Sequence, residues 1–235
     1  MTSNDLQVRY HAVCQAIETA CRAAQRPIDS VRLLAVSKTK PAEDIARLAD
    51  LGVREFGENY LQEALDKQAE LRDRDLIWHF IGHIQSNKTR EIAQNFDWVH
   101  TVDRRKIVQR LNDARAHCAT PLNVLIQVNV DDAPTKSGVA PTDLTGLVEE
   151  VMDSPHLQLR GLMSIPDPVS EEALIASHQL LASLLATLKH RFPQAMLDTL
   201  SMGMTQDLAP AIAAGSTCVR IGTALFGQRT PRSER

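Results

Sequence analysis

Lys38 closes the apolar run at 32–37 (RLLAVS), and a lysine in that position is equipped for carbonyl chemistry. Burial disfavours the ammonium form and lowers a lysine pKa, which is what an imine-forming amine requires. Alternatively, the side chain lays its stem along the strand end and keeps its head in water. Spacing alone leaves both open. Lys40, two residues on, is expected to face solvent. Late in the chain, Ser201 and Thr223 offer hydroxyls, and Gly203 and Gly222 allow close backbone approach. Together they suit a phosphate seat made from backbone N–H groups and a helix start. Two ordinary turns would carry the same residue types.

These residues matter only if the fold gathers them. Short β-branched or apolar runs occur at 32–37, 53–57, 77–82, 98–102, 123–130, 159–164, 197–203 and 217–222. Segments of helical period separate them. Pro41 suits a first helical turn, with Ile45, Leu48 and Ala49 as an apolar stripe before Gly52. Ser170 suits an N-cap, and Leu174, His178, Leu181, Leu185 and Leu188 then share one face. An extra helix precedes the first run, with Tyr10, Val13, Cys14, Ile17 and Cys21 on one side. Alternating strands and helices imply parallel pairing with right-handed crossovers. Eight such units in 235 residues fit one closed (β/α)8 barrel of α/β class over 1–235, with a doubly wound open sheet as the alternative. Residues 229–235 are expected to form a flexible tail.

In either architecture ligands bind beyond the carboxyl ends of the strands, and the unusual polar residues fall there. Lys38 follows the first run, Glu58 and Asn59 the second, and Gln85-Ser86-Asn87-Lys88 the third. Asn129 and Asp131 end the fifth, with Lys136-Ser137-Gly138 shortly after. Ser201 to Thr205 end the seventh, and Arg220 to Thr223 the eighth. His79 and His83 have i, i+4 spacing but straddle a strand end, so they read as a strand-end and a loop histidine rather than a metal pair. The four cysteines show no C-x-x-C and no close zinc-ligand spacing, so no metal is expected.

Composition narrows the function classes. Lysine plus arginine total 26 against 29 acidic residues, a net charge of −3, which supplies no field for nucleic acid or anionic lipid. With 4% aromatic residues there is no base-stacking platform. Arg104-Arg105-Lys106 read as a solvated face. No apolar run reaches the ~18 residues of a membrane span, and the first residues lack a signal-peptide core. The expectation is a reduced, cytoplasmic protein with no membrane partner.

Seven motifs stand in order: AVSKTKP (35–41), FGENYxQE (56–63), WHFIGxxQxNK (78–88), KSG (136–138), GLM (161–163), LSMGM (200–204) and RIGTALFG (220–227). On these the chain resembles the pyridoxal 5′-phosphate homeostasis protein family, also called the proline-synthase co-transcribed family. The resemblance spans roughly residues 8–228. It implies a barrel like the N-terminal domain of alanine racemase, without that enzyme's second β-domain. It implies pyridoxal 5′-phosphate as cofactor, with the Schiff-base lysine falling on Lys38. It further implies Ser201, Gly222 and Thr223 as phosphate-binding positions, Met204 and Asn59 beside the cofactor, and Arg220 facing the pyridine nitrogen. Lys136 corresponds to a lysine linked to cofactor release. His83-Ile84 stand where relatives often have Pro-Leu, a departure that leaves the site intact.

A permanently charged arginine at the ring nitrogen discourages its protonation and weakens the electron sink, as in racemase-type barrels. Racemases also need an acid/base group on each face. Only two tyrosines exist, Tyr10 on the first helix and Tyr60 after Asn59, and neither is an evident second base. The resemblance therefore implies a non-catalytic, monomeric protein that holds the cofactor and passes it to apo-enzymes. The alternatives are a racemase-like enzyme and an aldolase-type barrel using Lys38 without the cofactor.

Overall fold

A computed structural model of the chain describes residues 3–131, 136–167 and 170–228. All eight apolar runs form strands: β1 Arg32–Val36, β2 Glu55–Glu58, β3 Ile77–Phe80, β4 Trp98–Val102, β5 Leu122–Gln127, β6 Leu157–Met163, β7 Thr199–Ser201 and β8 Cys218–Ile221. Neighbours in sequence pair in parallel, and β8 returns to β1 with residues 218–221 opposite 32–35. The sheet is a closed barrel, so the open alternative is excluded.

The helices between strands are α2 Ala42–Asp50, α3 Leu61–Glu70, α4 Thr89–Asn95, α5 Arg105–Arg115, α6 Leu144–Met152, α7 Glu171–Arg191 and α8 Leu208–Ala213, while α1 Ser3–Ala23 precedes β1 and α9 Thr223–Phe226 follows β8. The expected stripe on α1 is present: Val13, Ile17 and Cys21 are buried, with Tyr10 and Cys14 half-buried. This helix packs on α2, α8 and α9. Because α9 has only four residues, α1 supplies the cover that a full eighth helix would give. Ser170 caps α7 as its composition suggests, its Oγ accepting the Ala173 N–H at 3.2 Å. His178, Leu181, Leu185 and Leu188 form its buried face.

Three expectations shift in detail. Pro41 stands one residue before α2 in extended backbone rather than inside its first turn. Gly52, at φ +99°, ends the turn after α2, so Val53 packs as a buried connecting residue and β2 starts at Glu55. Glu58 is thereby the last residue of β2 rather than the first after it. The segment 229–235, expected as a tail, lies outside the described residues.

Side chains alternate across each strand. The outward set packs against the helices and forms the main core. The inward set fills the barrel with Leu34, Val36, Ile81 and Cys218 on one side and Trp98, Leu125 and Met163 on the other. Between these apolar groups lies a polar axis of His79, His100, Ser201 and Arg220.

Candidate functional site

The turn that carries Lys38 is fastened on both sides. The Ser37 N–H continues the β1–β2 ladder to Gly57 O at 3.0 Å, and the Lys40 N–H returns to Ser37 O at 3.0 Å. Thr39, between them, has φ +65°, a conformation that costs a β-branched residue and persists only when neighbours enforce it. They do. Lys67 Nζ, on α3, donates to Ser37 O at 2.9 Å, Glu58 Oε1 at 2.7 Å and Glu63 Oε1 at 2.6 Å. Ser37 Oγ donates to Glu58 Oε1 at 2.6 Å, and the Thr39 N–H donates to Glu63. Both neighbours of Lys38 thus end on one buried ion cluster. Burial pushes the Glu58 carboxyl up, with Lys67 and Ser37 pulling it back. Lys38 itself is half-buried, and its parity with Leu34 and Val36 puts it on the axis side of the strand end.

Lys40 corrects the expectation of a solvent-facing lysine. Its Nζ donates to Phe226 O at 3.1 Å and Gln228 O at 2.9 Å, tying the turn to the end of α9. Cations suit that position, because the last carbonyls of a helix lack partners.

Arg220 lies in the barrel at 5% exposure. Its Nη1 donates to Ser201 O at 2.7 Å and Ser201 Oγ at 2.8 Å, and its Nη2 to Ser164 O at 2.8 Å. Among the described residues no carboxylate pairs with it, and burial pushes its pKa down from the usual arginine range. Ser201 requires a second correction. Its side chain is fully buried, and its Oγ is shared between Arg220 and His100 Nδ1 at 3.0 Å. With no accessible surface, this hydroxyl is spent on Arg220 and His100 inside the barrel rather than held at the rim.

The other predicted residues stand at or just past the carboxyl ends of their strands. Gly222 lies against β1, where an added Cβ would sit 3.3 Å from Val36 O. Thr223 opens α9 and is exposed. Met204 is 40% exposed, and its N–H donates to Asp207 Oδ1 at 2.7 Å. Gly203 before it has φ +94°, and a Cβ there would meet Ala211 Cβ at 2.6 Å, so glycine is required on both counts. Asp207 Oδ2 in turn meets His178 Nε2 at 3.0 Å. Burial raises the Asp207 carboxyl, but the bonds from His178 and Met204 leave it below the usual carboxylate range. Asn59 shares the inward parity of Gly57, and its Oδ1 is buried without a partner. With Tyr60, Gln62, His83, Gln85 and Lys88 it lines a 410 Å³ depression between the β2 and β3 ends.

Lys136 stands across the mouth. It pairs with Asp131 Oδ2 at 3.1 Å and reaches Ile165 O at 3.4 Å. His83 is an exposed loop residue as expected, whereas His79 is wholly buried on the barrel axis, 2.9 Å from His100. Lys67, His100 and Ser164 escaped the sequence reading. Lys67 had a signal: it falls three residues after Ala64 and four before Leu71, on the buried face, so it needed a buried anion. His100 had none, because WVHTV reads as one unbroken strand.

Residues 13–230 match the family model of the alanine racemase N-terminal domain. The class of protein is therefore the racemase-type barrel domain. A Pseudomonas aeruginosa protein named pyridoxal phosphate homeostasis protein is 56% identical, over 92% of this chain and 93% of its own length. The Escherichia coli K12 protein of the same name is 49% identical, over 96% and 97%. The solved structure of PipY from Synechococcus elongatus with PLP bound superimposes with a TM-score of 0.80 at 38% identity, covering 91% of this chain and 100% of that one. Alanine racemase from Corynebacterium glutamicum, at 17% identity and a TM-score of 0.64, shares the fold. The chain belongs to the pyridoxal phosphate homeostasis protein family.

Proposed function

We propose that this chain binds pyridoxal 5′-phosphate at the barrel mouth, holds it through Lys38, and keeps and releases it rather than turning over a substrate. The observation that carries this is a buried guanidinium with no carboxylate partner among the described residues, on the strand beside the one that leads to Lys38, whose turn is pinned from two sides. The chemistry of the donor set fits the group. Arg220 can only donate, which suits an unprotonated ring nitrogen. Gly222 permits close backbone approach, Thr223 offers a hydroxyl, and the first N–H groups of α9 lack helical partners, which suits a phosphate. Asn59 Oδ1 is a buried acceptor for a donor on the ring. When bound, the cofactor supplies an aldehyde that condenses reversibly with a primary amine.

A turnover role needs a second acid/base group, and the tyrosines do not supply one. Tyr10 is half-buried on α1, where burial raises its pKa, and Tyr60 is 54% exposed at the start of α3. Lys38, half-buried at the rim, suits exchange with an incoming amine, which is what transfer to an apo-enzyme requires. Among the described residues no helix is long and apolar enough to cross a membrane.

Titration with pyridoxal 5′-phosphate tests the proposal. The wild-type protein should gain a visible absorption band, and Lys38→Ala should lose the band while retaining weak binding through the phosphate seat. An unchanged band in Lys38→Ala would reassign the lysine. Exchange of an amino acid's α-proton with deuterated solvent would instead favour a racemase-like enzyme.

A further inference from the structure

We infer that Ser201, His100 and His79 form a hydrogen-bonded ladder of fixed direction that holds the guanidinium of Arg220, making His100 a positioning residue for the proposed ring contact. The ring contact rests on the preceding reading; the direction of the ladder does not.

The ladder runs down the barrel axis. Arg220 Nη1 lies 2.8 Å from Ser201 Oγ, which lies 3.0 Å from His100 Nδ1. His100 Nε2 lies 2.9 Å from His79 Nδ1, and His79 Nε2 lies 3.3 Å from Glu55 Oε2. The lower end sets the direction. Glu55 Oε2 and His79 Nε2 lie outside hydrogen-bond geometry, but a carboxylate 3.3 Å away favours a proton on that nitrogen over a bare one. His79 Nδ1 is then bare and accepts from His100 Nε2, which leaves His100 Nδ1 bare to accept from Ser201 Oγ. Arg220 only donates, so Ser201 Oγ accepts from it while giving its own proton to His100. In a ladder of opposite direction Ser201 Oγ would accept from both Arg220 and His100, and a bare His79 Nε2 would face the Glu55 carboxylate.

Surroundings keep both imidazoles neutral and still. Burial lowers both pKa values; for His100 the lowering is large, with His79, Arg220 and Arg32 adding to it. His79 stacks on Trp98 with ring centroids 5.4 Å apart at 9°, and His100 meets it edge-on at 5.1 Å. Glu55 stays below the usual carboxylate range: burial raises it, but His79 and Arg32 outweigh that. With Nη1 and Nη2 committed to Ser201 and Ser164, Arg220 Nε takes no partner among the described residues and remains for the mouth. A floor built this way contains no group that changes charge near neutral pH.

Nitrogen NMR of isotope-labelled histidine in the cofactor-free protein tests the direction, with His79→Gln and His100→Gln supplying the assignments. The expected result at neutral pH is a bare Nδ1 and a protonated Nε2 on both residues. Protonated Nδ1 on either, or a cationic imidazole, would overturn the ladder. Two variants test the positioning role. In His100→Asn the amide oxygen replaces Nδ1 and still accepts from Ser201; in His100→Gln the amide replaces Nε2 and that bond is lost. His100→Asn should keep the cofactor's absorption band and its release rate within about twofold. His100→Gln should shift the band and speed release about tenfold, the worth of one charge-assisted hydrogen bond. Equal behaviour of the two variants would overturn the positioning role. A wild-type protein that takes up no cofactor would overturn the functional reading, while the tautomers would still decide the ladder.

Discussion

Lys67 shows how much of this site depends on a residue that never faces it. Among the described residues its Nζ is the one cation bonded to buried Glu58, and it also fastens Ser37 and Glu63. Removing one partner of a buried pair leaves the other charge uncompensated, at about 3–5 kcal/mol. Lys67→Met should therefore lower unfolding stability by that amount in urea; a loss below about 1 kcal/mol would mean Glu58 is held by Ser37 alone. Thr223 is the converse case, an exposed hydroxyl whose value lies in the ligand. Thr223→Val should leave stability within about 0.5 kcal/mol and weaken cofactor binding about tenfold. Equal affinity in a titration would remove Thr223 from the phosphate seat. At this scale the rim lysine, arginine and glycines could be read from strand-end position. Ser201 could not be placed correctly, because parity inside a barrel depends on where a strand starts, and β7 has only three residues.

Elements were more legible than residues. Each apolar run became a strand because β-branched runs bounded by turn residues have few other uses, and the α7 stripe with its Ser170 cap was visible in full. What stayed hidden were backbone irregularities. Gly161 sits in β6 at φ +145°, where the β5–β6 register shifts, and a Cβ there would lie 1.8 Å from Thr199 O. Gly161→Ala must push β6 from β7 and should cost at least about 3 kcal/mol. Gly215→Ala is the control: φ is +106° but nothing lies within 4 Å, so strain alone should cost about 1–2 kcal/mol. Similar urea midpoints for the two would mean that β7 yields to the added methyl. The turn holding Lys38 was equally hidden, since Thr39 at φ +65° contradicts its own propensity and is imposed by Glu63, Lys67 and Lys40.

For the whole molecule, a polar axis inside an apolar barrel has a consequence for acid stability. His79 and His100 titrate at lower pH folded than unfolded, because burial disfavours their cations. The unfolded chain thus takes up protons first. Stability should be full above the ordinary histidine pKa of about 6.5 and fall as pH drops below it, by up to roughly 2–3 kcal/mol per pH unit with both groups titrating. Asp207 and Asp198, held below the carboxylate range, add a further loss below about pH 4. Urea midpoints from pH 8 to 5 read this directly, and a flat profile would mean the imidazoles are not held neutral. The central claim remains that Lys38 is the residue that takes the cofactor. The most direct measurement is borohydride reduction of the protein loaded with pyridoxal 5′-phosphate, followed by peptide mass mapping. A single phosphopyridoxyl adduct on the peptide bearing Lys38 is the predicted result. An adduct on Lys40, Lys67, Lys88 or Lys136 in its place, or none at all, would contradict it.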